Sequence, residues 1–359
     1  MFLGLRDLVH ARGRFTLIGM VVGLITLLLV MLTGLTGGLG QQNTSALEEL
    51  DPGRYVFAAT NPGAGEVEIS FTDSQVNSEL VEQWQTMSGI DTVVPLGATQ
   101  TRLEATGTSS VAVLGLPTGT QVPGGEQIGE GVVLSGSIAE AQGITVGETV
   151  TLGGRDVAVT GITTDEFYSH SPVVWADTGT WTEVAHVGNG VIGTVLMVDG
   201  SLDKDAWDAA AATTGTAAVS TRGAFAGLPA YSSEQGSLVA MQGFLYVISA
   251  LVTVSFLTVW TIQRTRDLSI LRALGASGRY LLRDALGQSA VILVIGTLSG
   301  ALLGWGLGTA AGQAVPFELN VANVAGPAVG IWLLGILGAF FATRRVSRVD
   351  PLIALGGNA

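Results

Sequence analysis

The chain has 359 residues, of which 47% are hydrophobic and 13% charged, with a formal net charge of −13. No cysteine is present, which excludes disulfides, thiolate metal sites and cysteine nucleophiles. The only lysine, Lys204, stands in Leu-Asp-Lys-Asp, so no Walker-type phosphate loop exists and any nucleotide hydrolysis must come from another chain.

Charge divides the molecule in two. Between Gln41 and Ser237 lie 24 acidic and five basic residues, a formal −19, whereas the rest carries 11 basic and five acidic residues, +6. The first stretch has the composition of a water-facing domain and the second that of a membrane part with basic flanks.

In chain order, residues 1–40 hold a short basic segment and an uncharged run from Phe15 to Leu39, about the length that crosses a bilayer as a helix. This run exceeds the apolar core of a cleavable leader and lacks a small-residue cleavage pattern, so it reads as an anchor. Residues 41–236 read as an α+β domain. Strands are expected at Glu66–Phe71, Ser110–Leu116, Gly131–Leu134, Thr149–Leu152, Val157–Thr163 and Val191–Val198, and helices near Asp73–Ser88, Ser137–Gln142 and Asp203–Ala212.

A second span follows within residues 237–263. Residues 264–284 form a basic, amphipathic connection whose bland reading is an interfacial helix. Residues 285–343 carry one charge, Glu318, which splits them into two spans at a Pro316–Asn323 turn; residues 344–359 are a tail. The predicted helices are thus 15–39, 238–262, 286–312 and 324–343. Arg6, Arg12 and Arg14, the five arginines between Arg264 and Arg283, and Arg344, Arg345 and Arg348 all fall on one side. The positive-inside rule makes that side the cytoplasm, with both termini inside, the 41–236 domain outside, and the chain multi-pass in the plasma membrane.

Gly296, Gly300, Gly304, Gly308 and Gly312 recur every fourth residue, and Gly19 and Gly23 form a second small-residue pair. Such faces serve close helix packing, either within one chain or between two copies. No span carries a mid-membrane ionisable residue, which argues against a proton relay. No Gly-x-Ser-x-Gly or His-Glu-x-x-His occurs, and His10, His170 and His186 are too scattered for a zinc site. The chain therefore does not read as an enzyme by itself, and no nucleic-acid partner is expected.

Three segments carry a family pattern: TIQRTRDLSILRALGASGRYLLR at Thr261–Arg283, the domain run GVVLSGSIAEAQGITVGETVTLGG with VAVTGI, and the terminal RRVSRVDPLIALGGNA. Together they resemble MacB/FtsX-type permeases, in which an α+β extracytoplasmic domain is inserted between helices 1 and 2 of four transmembrane α-helices. Within that group, TGLTGGLGQQNTSALEELDPGRYVF at Thr33–Phe57 and GITTDEFYSHSPVV at Gly161–Val174 resemble the permease subunit of Gram-positive heme exporters (HrtB type).

The resemblance implies an ABC transporter subunit that takes heme from membrane lipid and exports it. It would be driven by ATP on a separate cytoplasmic ATPase and would act as a homodimer. Asp267, Leu268, Leu271, Arg272 and Gly275, with Asp350 and Pro351, would meet the ATPase. With cysteine absent, iron contact falls to Tyr, His, Met or carboxylate: Tyr55, Tyr168, Tyr231, Glu234, His170 and Met241. Each has a plainer role open to it: interfacial tyrosines as anchors, Met241 in packing, His170 bonded to a loop carbonyl. A permease for a peptide or lipid, or a mechanotransmission subunit that exports nothing, are the alternatives.

Overall fold

The computed structural model describes residues 12–59, 67–263, 270 and 274–344. Two compact units result: an outer unit, Leu39–Gln235, and a helical unit formed by the flanking segments.

Among the described residues, four helices are long and apolar enough to cross a bilayer. They are α1 (Arg12–Leu50), α7 (Pro229–Gln263), α8 (Gly278–Ala311) and α9 (Val321–Arg344); α2 to α6 belong to the outer unit. Two of them outrun the apolar signal. The polar stretch after Leu39 continues α1 to Leu50 because Ala46 and Leu47 are fully buried in the outer unit's core. The third span starts eight residues before the predicted 286, where the Ser277 side chain caps the helix by accepting from Tyr280 N–H. Just before it Gly275 adopts φ +97°, the left-handed conformation that ends a helix and favours glycine.

The small-residue stripe is used inside the chain. Gly296 faces the Gly19 carbonyl and Val22, Gly300 faces the Gly23 carbonyl and Thr26, and Gly304 faces Val30, so α8 lies backbone-to-backbone along α1. The α8–α9 turn closes on α1 as well. A Cβ at Gly34, Gly37 or Gly38 would run into Phe317, Glu318 or Pro316, and the Glu318 N–H donates to the Gly34 carbonyl at 2.9 Å. Amides of Asn320 and Asn323 donate to the Glu318 carboxylate, which satisfies the lone acid of this stretch.

The outer unit is built on strand β3 (Ile90–Glu104), whose two halves serve different layers. Its first half pairs β11 (Val195–Gly200), which pairs β1 (Arg54–Ala58) and then β12 (Thr216–Val219), all antiparallel. Helices α2 (Ser78–Gln85) and α5 (Lys204–Thr214) contribute to the core on this sheet through Trp84 and Trp207, stacked at 6.0 Å. The second half of β3 pairs β4 (Thr108–Leu116), and the order continues through β9 (Ser171–Asp177), β5 (Val132–Ser135), β7 (Arg155–Thr163) and β6 (Thr149–Leu152). Strand β6 pairs β3 again at Leu103 and Glu104, so six strands close on themselves into a small barrel. Helix α4 (Thr178–Ala185) seats Trp181 over the facing pair Gly97 and Gly115, where a Cβ would strike its ring.

Five of the six expected strands and the three helices appear, some with shifted bounds and Val191–Val198 as two strands in different sheets, Val191–Gly193 and β11. The exception is Glu66–Phe71: residues 67–70 join no ladder, because Ser70 and Asp73 bond each other and Phe71 N–H is taken by the Gly227 carbonyl. Strand β3 was not legible, since Pro95 and Gly97 interrupt its alternation. Pro95 lies ahead of Gly97, where the β4 ladder begins, so its missing N–H removes no bond to that neighbour.

Candidate functional site

Three segments of the outer unit meet at one polar node: the last turns of α1, the start of α7, and the hairpin of β8 (Phe167–Tyr168) with β9. Tyr168 pairs with Ser171, leaving a two-residue turn of Ser169 and His170 at φ +49° and +62°. Both residues are left-handed, as in a type I′ turn, a conformation that glycine and asparagine adopt more cheaply. The turn is held from outside: Ser169 N–H donates to the Asn43 carbonyl (3.0 Å) and His170 N–H to the Gln42 carbonyl (2.9 Å). These helix carbonyls use a second lone pair, so the hairpin grips α1 without breaking it.

The grip aims His170 at α7. Its Nε2 lies 3.0 Å from both Glu234 carboxylate oxygens and 3.0 Å from Asn43 Nδ2, which itself donates to Glu234 Oε2 at 3.2 Å. An Nε2–H donates to the carboxylate, whereas a bare Nε2 accepts from the Asn43 amide, so one nitrogen serves two roles according to its proton. Asn43 is fully buried, while the His170 and Glu234 side chains keep 31% and 39% exposure. One turn earlier on α7, Tyr231 packs its ring edge-on against Phe225 at 5.5 Å.

The six sequence candidates separate here. His170 and Glu234 come together, Tyr231 is half-buried beside Phe225, and Met241, farther along α7, is 53% exposed. Tyr55 and Tyr168 instead belong to the core around Phe71. The Tyr55 hydroxyl donates to the Leu47 carbonyl at 2.8 Å, and burial raises both hydroxyls above the usual tyrosine range, which keeps them protonated. Asn43 was missed, since a lone asparagine in a polar helix extension carries no signal. Among the described residues no group of three His, Asp or Glu could hold a metal ion. Of the ATPase-facing candidates, Gly275 is described; Asp267, Leu268, Leu271, Arg272, Asp350 and Pro351 lie outside the described residues.

The family model of the MacB-like periplasmic core domain matches residues 15–217, and that of the FtsX-like permease C-terminal region matches residues 239–351. The chain is 23% identical over 357 residues to a protein of Staphylococcus epidermidis named as the hemin transport system permease HrtB, with 99% of each chain covered. The corresponding Staphylococcus haemolyticus protein is 24% identical over 362 residues, again with 99% of each covered. A Pseudomonas savastanoi protein named for pyoverdine export, the ATP-binding/permease protein PvdT, is 31% identical over 133 residues, 36% of this chain and 20% of that one.

Proposed function

We propose, from a chain that belongs to the MacB/FtsX-like permease family, that this multi-pass membrane protein exports heme. That it is an ABC-transporter permease follows from the family; the cargo is our reading. The observation that carries it is the end-to-end likeness to proteins named for hemin transport, which covers helices, outer domain and termini alike. The node on α7 is chemically suited to that cargo. Heme partitions into lipid, and a site at the outer ends of the helices would receive it from the membrane without a water-filled channel.

In this reading Tyr231, Glu234, His170 and Met241 supply iron or porphyrin contact, and Tyr55 and Tyr168 hold the domain that presents them. A separate cytoplasmic ATPase would bind Gly275 with Asp267, Leu268, Leu271 and Arg272, and the tail at Asp350 and Pro351. The arginine clusters support a placement of both termini in the cytoplasm. A homodimer would bring two copies of the node to one cargo. ATP-driven closure of the ATPases would move α1 and α7, and the hairpin grip would carry that motion into the outer domain.

Hemin titration of the purified chain in lipid nanodiscs tests this. A saturable Soret shift that weakens at least tenfold in Glu234→Gln or Tyr231→Phe is expected; no shift in the wild type would sink the reading. A different cargo is the second reading, favoured by the partial match to a protein named for pyoverdine export, and unchanged hemin behaviour in both variants would point to it.

A further inference from the structure

The outer unit has only five basic residues, and three are engaged. The Arg54 guanidinium lies over the Trp207 ring at 5.4 Å, Arg155 pairs with Glu183, and Lys204 pairs with Asp208 at 3.7 Å. Arg102 belongs to the barrel half of β3. Arg102 and Arg222 are both exposed with no described carboxylate partner, and Arg222 is the one in the segment that leads into α7. It is exposed on the short helix α6 (Thr221–Ala224), and no described carboxylate pairs with it.

Its position is fixed by its neighbours. Ser220 caps α6 by accepting from Gly223 N–H, Thr221 bonds Asp51, and the chain then passes through a 3-10 turn at Phe225–Gly227 into α7. Phe225, three residues after Arg222, carries the ring on which Tyr231 packs, so the segment bearing Arg222 is anchored against the start of α7. Burial raises the Tyr231 hydroxyl above the usual tyrosine range, the Glu48 carboxylate adds to this, and the Arg222 guanidinium opposes it.

A free guanidinium in a domain of formal charge −19 has a specific chemical use. The surrounding acids repel an anionic ligand, and a planar fork of N–H donors is the group that binds a carboxylate in two parallel bonds. We propose that Arg222 recognises a carboxylate of the cargo and thereby selects anionic porphyrins over neutral ones at the Tyr231–Glu234 end of α7. This rests on the heme reading and deepens it, since heme pairs an apolar ring with two carboxylates.

The test compares hemin with hemin dimethyl ester, which keeps ring and iron but lacks both charges. Both are titrated into the full chain in nanodiscs, as wild type and as Arg222→Gln, Arg222→Lys and Arg222→Glu. Wild type should prefer hemin by about tenfold, the strength of one charge-assisted contact. Arg222→Gln should bind the ester like wild type but lose the preference, Arg222→Lys should regain part of it, and Arg222→Glu should reverse it. Melting temperatures should stay level, because the side chain is exposed and unpaired.

Hemin binding with the full preference retained in Arg222→Gln overturns the role of Arg222 and leaves the cargo reading standing. A wild type that binds neither porphyrin overturns both.

Discussion

His170 Nε2 lies 3.0 Å from both carboxylate oxygens of Glu234, and the two residues are 64 positions apart in the chain. Their contact ties the β8–β9 hairpin to the first turns of α7, with Asn43 of α1 as the third member. Both side chains remain partly open to solvent, so the pair contributes on the order of 1 kcal/mol or less to stability. His170→Ala should therefore leave the melting temperature within a few degrees of wild type while weakening hemin binding several-fold. Calorimetry and Soret titration on the same sample check this, and a large loss of stability with unchanged binding would reverse the assignment.

The two buried tyrosines should behave in the opposite way. Tyr55→Phe removes a buried bond to the Leu47 carbonyl and should cost about 1–2 kcal/mol. Neither Tyr55→Phe nor Tyr168→Phe should alter hemin affinity, because both side chains lie inside the domain core. Thermal denaturation and hemin titration of the two variants separate a core tyrosine from an iron ligand.

Glycine positions on one helix pair should differ sharply. Gly300→Val would drive a branched side chain into the Gly23 carbonyl and Thr26, an overpacking cost of about 1–3 kcal/mol. Gly19→Ala should be tolerated, because a Cβ there meets nothing within 4 Å. Detergent melting curves and size-exclusion profiles should show Gly300→Val unstable and Gly19→Ala unchanged.

Glu166 sets a pH dependence. It is 8% exposed, and burial raises its carboxyl above the ordinary glutamate value, a shift partly offset by the Ser45 hydroxyl and reinforced by Glu49, Asp165 and Glu48. The native state then holds this proton more tightly than the unfolded chain, so stability falls as pH rises from the ordinary value through the raised one. Glu166→Gln should flatten that slope and melt higher than wild type at neutral pH. Melting temperatures of both proteins from pH 4 to pH 8 decide it.

Much of this architecture is a local property of the chain. Four apolar runs, the arginine clusters and the acid-rich insert follow from composition along a line, because a bilayer tests each span of about 20 residues separately. Strands such as Val157–Thr163 are legible for the same reason, since their alternation is complete within a few residues. The lone Lys204 likewise excludes a phosphate loop without any structure.

What only the tertiary structure decided concerns partners distant in sequence. The glycine stripe reads equally as packing within one chain or between two until Gly300 is found against the Gly23 carbonyl. Tyr55 and Tyr231 look alike in the sequence, yet one hydroxyl is buried against Leu47 and the other ring is half-buried, edge-on to Phe225. Asn43, His170 and Glu234 carry no common motif. They form a site because the hairpin's N–H groups bond the carbonyls of α1, and a backbone contact across more than 120 residues leaves no trace in the pattern of either segment.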